Sequence, residues 1–275
     1  MMRVGITGAS GLIGQELTRA LHERGDLPLP LPRSRHRRPD EVASLDAVVN
    51  LAGAPVSQRW TPEVKAEIRA SRVIGTRSLA EAIEASGREV RVVSASAVGY
   101  YGDRGDEVLR EDSAPGTGFL ADVCRDWEAV APAGAAVIRT GIVLVGSGGA
   151  LAKQLPLFRL GLGGPLGSGR QFWPWISLHD HVRAVLFLLD NPQITGPVNL
   201  SAPEPLPQKD VARALGKALH RPAVVPVPGF ALRLVLGGFA SELLGGQRSV
   251  PAVLEREGFG FDHPDIASAL AWALR

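Results

Sequence analysis

The first apolar run, Val4-Gly5-Ile6-Thr7, breaks into three glycines, Gly8, Gly11 and Gly14, before Ile13, Leu17 and Leu21 recur at i, i+4 and i+8. The period thus changes from that of a buried strand to that of one helix face, and Gly25 stands where a helix C-cap belongs. Strand, turn and helix are expected in that order. Asp46 to Val49 reads as a buried strand ending in the small-residue turn Asn50-Leu51-Ala52-Gly53. Thr61-Pro62-Glu63 opens a long helix with a capping hydroxyl, an early proline and an early acid, and Ile68, Gly75, Leu79 and Ile83 mark its buried face. Val90 to Ser94 is the next strand, Phe119 to Ala131 a helix, Ala136 to Leu144 another buried strand, Ser177 to Leu189 a helix, and Gly196 to Leu200 a strand returning to the main sheet. Strands alternating with helices predict an α/β fold of the Rossmann type, a doubly wound parallel sheet.

Leu27-Pro28-Leu29-Pro30-Leu31-Pro32 occupies the place of a second strand with proline at every other position. Alternate amides point the same way, so three donors are missing from one side and this strand belongs at the sheet edge. Too few residues separate Arg33 from the next apolar run for a helix and a further strand, so the third strand of the usual topology is expected to be lost. From Gly146 the pattern shifts to glycine loops around a helix carrying Leu151, Leu155 and Phe158, then Gln171 to Ile176 with two tryptophans that suggest a ligand rim. Helices near Lys209–Leu219, Phe230–Leu244 and Ile266–Leu274, with short strands at Ala223–Val227 and Gly258–Phe261, complete a smaller C-terminal α+β unit. The expected division is 1–146 plus about 177–202 for a nucleotide-binding domain, and about 147–176 plus 203–275 for a substrate domain.

With 275 residues, 45% of them hydrophobic, the chain can bury a large core. A net charge of +2 makes nucleic acid a poor partner. The single cysteine, Cys124, excludes an internal disulfide and suits a reducing cytoplasm as a small buried hydrophobe. The chain opens directly on a strand without a charged leader, and Phe230–Leu244 carries Arg233 and Glu242 and is too short to span a bilayer, so a cytoplasmic protein without a membrane partner is expected. No metal is expected either. His179-Asp180-His181 places its ligands on different sides of a helix, with no further ligand nearby in sequence.

The chemistry concentrates at strand C-termini. Gly8 permits the tight exit from the first strand, Gly11 lets backbone amides approach a pyrophosphate, and Gly14 lets the helix lie close to the sheet. Unpaired amides at the helix start, with the positive end of its dipole, favour a phosphate. Where an NAD site would carry an acid after the second strand, the chain has Arg33-Ser34-Arg35-His36-Arg37-Arg38. Arg33 suits a 2′-phosphate, so NADP is preferred, while Arg35 to Arg38 read as a solvated basic loop. Arg72, on the long helix, could reach a phosphate. Tyr100 and Tyr101, the two tyrosines of the chain, follow the strand that ends near Ser94 and Ser96.

Thr7-Gly8-Ala9-Ser10-Gly11-Leu12-Ile13-Gly14, Asn50-Leu51-Ala52-Gly53, Ser94-Ala95-Ser96 before Tyr101-Gly102, and Arg139-Thr140-Gly141 resemble the extended and atypical short-chain dehydrogenase/reductases. More narrowly, Arg59-Trp60-Thr61, Ser71-Arg72, Gly99 to Gly102, Gly161 to Gly164, Gln171 to Ile176, Ala202 to Pro205 and Leu219 to Pro222 resemble the nucleoside-diphosphate-sugar epimerase-like subgroup of the NAD-dependent epimerase/dehydratase family. The resemblance implies cofactor contacts from Gly8, Ser10, Gly11, Leu12, Ile13, Gly14, Leu51, Ala52, Gly53, Ser94 and Gly141. It also implies a Ser/Thr, Tyr, Lys catalytic group. Ser96 fits the serine, and Tyr101, with the Tyr-Gly pair, is preferred over Tyr100 for the tyrosine. The lysine is missing: neither tyrosine is followed four residues later by one, and Phe119 to Cys124 stands where the tyrosine–lysine helix would lie. A tyrosine near its reference pKa of about 10 can donate a proton to a carbonyl but is a poor base. The expectation is therefore an NADP-dependent oxidoreductase of reductase character acting on a small carbonyl or sugar-nucleotide-like molecule. A nucleotide-sugar epimerase and a catalytically degenerate NADP-binding sensor remain as alternatives, and a homodimer is left open.

Overall fold

The computed structural model describes residues 1–275. Strands β1 (Arg3–Thr7), β2 (Leu27–Leu31), β3 (Ala47–Asn50), β4 (Arg91–Ala97), β5 (Ala136–Thr140) and β6 (Gly196–Leu200) form one parallel sheet in the order 2-1-3-4-5-6. The helices are α1 (Leu12–Glu23), α2 (Pro62–Ser86), α3 (Phe119–Glu128), α4 (Gly149–Arg159), α5 (Leu178–Asp190), α6 (Gln208–Ala218), α7 (Gly229–Leu236), α8 (Phe239–Leu244), α9 (Ala252–Arg256) and α10 (Ile266–Ala273). None of them is long and apolar enough to cross a membrane.

Strand β3 shows why both sheet faces are covered. Its side chains alternate: Ala47 and Val49 enter the core shared with α1 and α5, while Val48 enters a second cluster with Leu79 and Ala82 of α2. The edge is the proline strand, as expected. Val4 pairs with Pro28 and Ile6 with Pro30, and the Leu27 amide donates inward to the Met2 carbonyl at 2.9 Å. By the strand period the amides of Leu29 and Leu31 face the same neighbour, and the proline positions face the open side. The sheet has no strand beyond β2.

Several boundaries differ from the sequence reading. The apolar run 136–144 is two strands. At Gly141 the amide still bonds Leu200 of the main sheet, but the Ile142 amide turns to the Pro174 carbonyl at 2.7 Å, and Ile142–Leu144 pairs with Trp175–Ser177. A Cβ at Gly141 would sit 2.1 Å from that carbonyl oxygen, so this crossing needs glycine. Residues 230–244 form two helices, broken at Gly237 with φ +57. The strands expected at 223–227 and 258–261 do not form. Only Val227 makes an isolated bridge, to Leu166. The tryptophans expected on a ligand rim are interior: Trp173 is 4% and Trp175 1% exposed, in a core with Leu151, Phe158, Leu215 and Leu270. That core draws on α4, α6 and α10, away from the sheet.

Candidate cofactor cleft and active site

The cleft is built at the C-terminal ends of β1, β2 and β3. Gly8 has φ +73, and a Cβ there would touch the Leu51 backbone at 3.0 Å, so the exit from β1 and the turn after β3 interlock through glycine. Gly14 brings α1 hard against this turn: its Cβ would lie 2.3 Å from the Gly8 carbonyl oxygen. At Gly11, φ is an ordinary −76, and a Cβ would meet only the Gly8 oxygen, at 3.2 Å. Beyond it is space. No side chain caps α1, so the first-turn amides, those of Leu12 and Ile13 included, remain available to an anion. Gly8, Ser10, Gly11, Leu51, Ala52, Gly53 and Arg33 share one hollow of about 500 Å³. This cradle fits a dinucleotide pyrophosphate. The Leu12 side chain reaches toward Gly148, and Ile13 contacts the main core.

Sequence reading missed what holds the cradle. The Thr7 hydroxyl donates to Asn50 Oδ1 at 2.6 Å and accepts from the amides of Leu51 and Ala52 at 3.0 and 3.2 Å. Asn50 in turn donates to Thr76 at 2.8 Å and to Ser94 at 3.3 Å, and Trp127 Nε1 donates to the same Thr76 hydroxyl at 2.8 Å. Ser94 is 1% exposed, so its part is to anchor the turn from behind. Arg72 does likewise. Its Nη1 donates to the Ala54 and Ile68 carbonyls, both at 3.0 Å, and its guanidinium lies over the Trp127 ring. Gly141 is engaged by Leu200 and Pro174 at the sheet crossing described above.

A second hollow, of about 250 Å³, opens between the end of β2 and α2, lined by Arg33, Ser34, Arg35 and Arg37, with Glu67 the one acid. Arg33 and Arg35 are exposed. Arg37 corrects the expectation of a solvated loop: it is 8% exposed, pairs with Glu41 at 2.9 Å and donates to the Pro32 carbonyl at 2.6 Å. It therefore clamps the loop that presents Arg33.

Beyond β4 the two tyrosines separate. Strand β4 runs on to Ala97, and Val98–Tyr101 is a 3₁₀ turn. Tyr101 is 0% exposed. Its hydroxyl donates to Asn199 Oδ1 at 2.7 Å and accepts from Arg139 Nη1 at 2.9 Å. Burial pushes this phenol up to about 12, against the lowering influence of Arg139. Tyr100 is partly exposed, with the Arg139 guanidinium 3.5 Å from its ring centroid. Ser96 does not meet either tyrosine in a hydrogen bond. Its hydroxyl donates to Glu128 Oε1 at 2.6 Å, and Arg139 grips the same carboxylate through Nε and Nη2 at 2.9 and 2.8 Å. Arg139 also donates to the Glu111 carbonyl at 3.0 Å. Glu128 stands 32 residues from Ser96, at the end of α3. Cys124, beside Ser96, is buried, which pushes its thiol up to about 12 and leaves it inert.

Two other groups of titratable residues lie elsewhere. Residues His179, Asp180 and Asp262 come together, the last supplied by a distant segment that sequence order did not reveal. The carboxylates are already committed. Asp180 accepts from the amides of Asp262 and His263 and from Arg183, and His179 bonds Asp262 at 2.7 Å. On the other side of the tyrosine turn, a hollow of about 290 Å³ holds Trp60, Lys65, Asp103, Phe119 and Glu242. Burial, with Asp103 adding to it, pushes the Glu242 carboxyl up to about 7.

Residues 4–121 match the NAD dependent epimerase/dehydratase family, and residues 227–273 match a domain of unknown function, DUF1731. An epimerase family protein of Mycobacterium bovis is 44% identical, over 98% of this chain and 97% of its own length. The chloroplastic epimerase family protein SDR39U1 homolog of Arabidopsis thaliana is 38% identical, over 98% of this chain and 86% of its own. Among solved structures, human epimerase family protein SDR39U1 (isoform 2) with NADPH superposes with a TM-score of 0.91 at 33% identity, covering 99% of both chains.

Proposed function

The chain belongs to the NAD dependent epimerase/dehydratase family, and on that footing we propose that it binds NADPH and reduces the carbonyl group of a small substrate. The observation that carries this reading is the continuous path from the glycine cradle to the exposed Arg33 and Arg35, with no acid at the end of β2 to hold a ribose 2′-hydroxyl. The human relative solved with NADPH supports the same choice. The free amides of Leu12 and Ile13 would hold the pyrophosphate, with Gly11 leaving room for it, and Arg33 would hold the 2′-phosphate. When bound, NADPH supplies the hydride.

The remaining chemistry falls to this chain's own side chains at the end of β4. Tyr101 is sealed, so Tyr100 is the tyrosine that donates a proton to the substrate oxygen. Ser96, the serine expected to touch substrate, is 3% exposed and spends its proton on Glu128, so it holds that carboxylate in place behind the tyrosine turn. A Ser96–Glu128 relay would also supply the base that a nucleotide-sugar epimerase needs and the absent lysine cannot provide. Arg139 weighs against that second reading, because it already occupies both Glu128 oxygens with two charge-assisted bonds.

Two measurements test the proposal. Calorimetry should show NADPH binding tighter than NADH, with Arg33→Ala shrinking the preference by roughly 1–3 kcal/mol, the scale of a charge-assisted bond. Anaerobic incubation with NADPH and a panel of carbonyl compounds should show cofactor oxidation that Tyr100→Phe slows by at least about 100-fold, the scale of a lost general acid. Bound NADPH that no carbonyl compound oxidises would favour the sensor reading. Turnover of a nucleotide sugar without net cofactor oxidation would favour the epimerase.

A further inference from the structure

The exposed apolar side chains of this protein are not scattered. Of its twelve large hydrophobic residues that stand in solvent, five fall in two short segments, Leu157, Leu160 and Leu162 in one and Val224 and Val225 in the other. These two segments are neighbours: Arg221 Nε donates to the Arg159 carbonyl at 3.0 Å, the Val225 amide donates to Gly163 at 3.1 Å, and Gly161 lies against Pro222. Leu160, Leu162 and Val224 are 72%, 52% and 75% exposed there. Clusters of this kind on a soluble surface mark a contact.

Beside them runs a stripe of charge. Lys209, Arg213 and Lys217 recur at i, i+4 and i+8 on the outer face of α6, whose inner face buries Val211, Ala212 and Leu215. With Arg221 they line a hollow of about 550 Å³ whose wall also includes Val224. Acids are scarce around it. No Asp or Glu occurs between Glu128 and Asp180, and Asp210 is the only one between 205 and 241, where it pairs with Arg213 at 2.7 Å. The lining of this hollow thus carries four cations and no acid.

We propose that this face of the C-terminal unit docks on an anionic phospholipid surface, with headgroup phosphates among Lys209, Arg213, Lys217 and Arg221 and with Leu160, Leu162 and Val224 entering the interfacial region. The pairing of features selects the occupant. A second copy of this chain would bring like charges together, and a nucleic acid would gain nothing from the leucines. An anionic bilayer matches both the cations and the apolar rim. The absence of a spanning segment, on which a membrane was set aside in the sequence, is immaterial to a peripheral contact.

The test is co-sedimentation of the full chain with vesicles of phosphatidylcholine alone and of phosphatidylcholine with phosphatidylglycerol, at low and high salt. Binding should require phosphatidylglycerol and weaken with salt. Each cation removed should weaken it roughly fivefold, so the triple change Lys209→Gln, Arg213→Gln, Lys217→Gln should cost about 100-fold. Leu160→Ser and Val224→Ser should each cost roughly tenfold on the same vesicles. All variants should bind NADPH as the parent does, which shows them folded. Absence of binding to the anionic vesicles at low salt would overturn the proposal. So would apolar variants that bind unchanged, which would point to a soluble acidic partner, or double-stranded DNA bound as tightly as the vesicles.

Discussion

Arg139→Met removes the centre of the polar network behind the site. The guanidinium is 2% exposed and makes four bonds, two to Glu128 and one each to the Tyr101 hydroxyl and the Glu111 carbonyl. The losses are unequal. Tyr101 keeps its bond to Asn199, whereas the Glu128 carboxylate, 14% exposed, keeps only Ser96 against a full charge. Removing one partner of a buried pair costs about 3–5 kcal/mol, mostly because the other charge is left uncompensated. In a chain of this size each kcal/mol moves the melting point by roughly 2–4 °C, so a drop on the order of 10 °C is expected. Urea unfolding followed by far-ultraviolet circular dichroism measures it. The double change Glu128→Leu with Arg139→Met supplies the control, because it deletes the charge along with its partner and should be less destabilised than Arg139→Met alone. A double variant as unstable as the sum of the single changes, or an Arg139→Met protein within about 1 kcal/mol of the parent, would refute the claim that the pair is held by charge compensation.

Gly11→Val should abolish NADPH binding while leaving the melting point of the unliganded protein nearly unchanged, since φ at Gly11 suits valine and the added carbons enter the pyrophosphate space; an unfolded variant, or one that binds normally, contradicts this. His181 is wholly buried, which pulls its pKa from 6.5 to about 4, so the unfolded chain takes up a proton there that the folded one refuses. Stability should accordingly fall by up to about 1.4 kcal/mol per pH unit as pH drops through that window, and His181→Gln should flatten the profile. Glu242 has the opposite sign. Its raised pKa lets the folded chain hold a proton up to about pH 7 that the unfolded chain releases near 4.5, so stability declines as pH rises through that range. Glu242→Gln should unfold later than the parent above pH 7 and show no advantage at acidic pH, as read by denaturant titration.

The parts of the molecule legible in the sequence were those encoded over short distances. Gly8, Gly11 and Gly14 declare a turn and a helix start within seven residues, and the alternating prolines declare an edge without reference to any other segment. Pairings across long separations left no local sign. Glu128 ends an amphipathic helix with nothing in its neighbourhood to mark it, yet it meets Ser96 and Arg139 because α3 crosses the C-terminal end of β4. Tyr100 and Tyr101 are adjacent in sequence, and only the 3₁₀ turn decides that one is sealed and the other open. The tryptophans misled for a related reason: glycine-rich flanks suggested a loop, whereas the chain there adds short strands to a second core that periodicity could not detect. Arg37 looked like one more cation of a solvated run until Glu41 and the Pro32 carbonyl gave it partners.

The proline edge also bears on how this chain survives its own synthesis. Before α1 and β1 have docked, Leu27–Leu31 presents three leucines in an emerging polypeptide, and only the prolines between them separate it from the composition that seeds intermolecular strands. The missing amides deny such a strand a second neighbour in the unfolded chain as much as in the folded one, because proline carries the restriction with it. Replacing Pro28 and Pro30 by valine would leave the native ladder to β1 intact while making the segment competent to recruit copies of itself, so the loss should appear in refolding yield at high protein concentration rather than in the melting point.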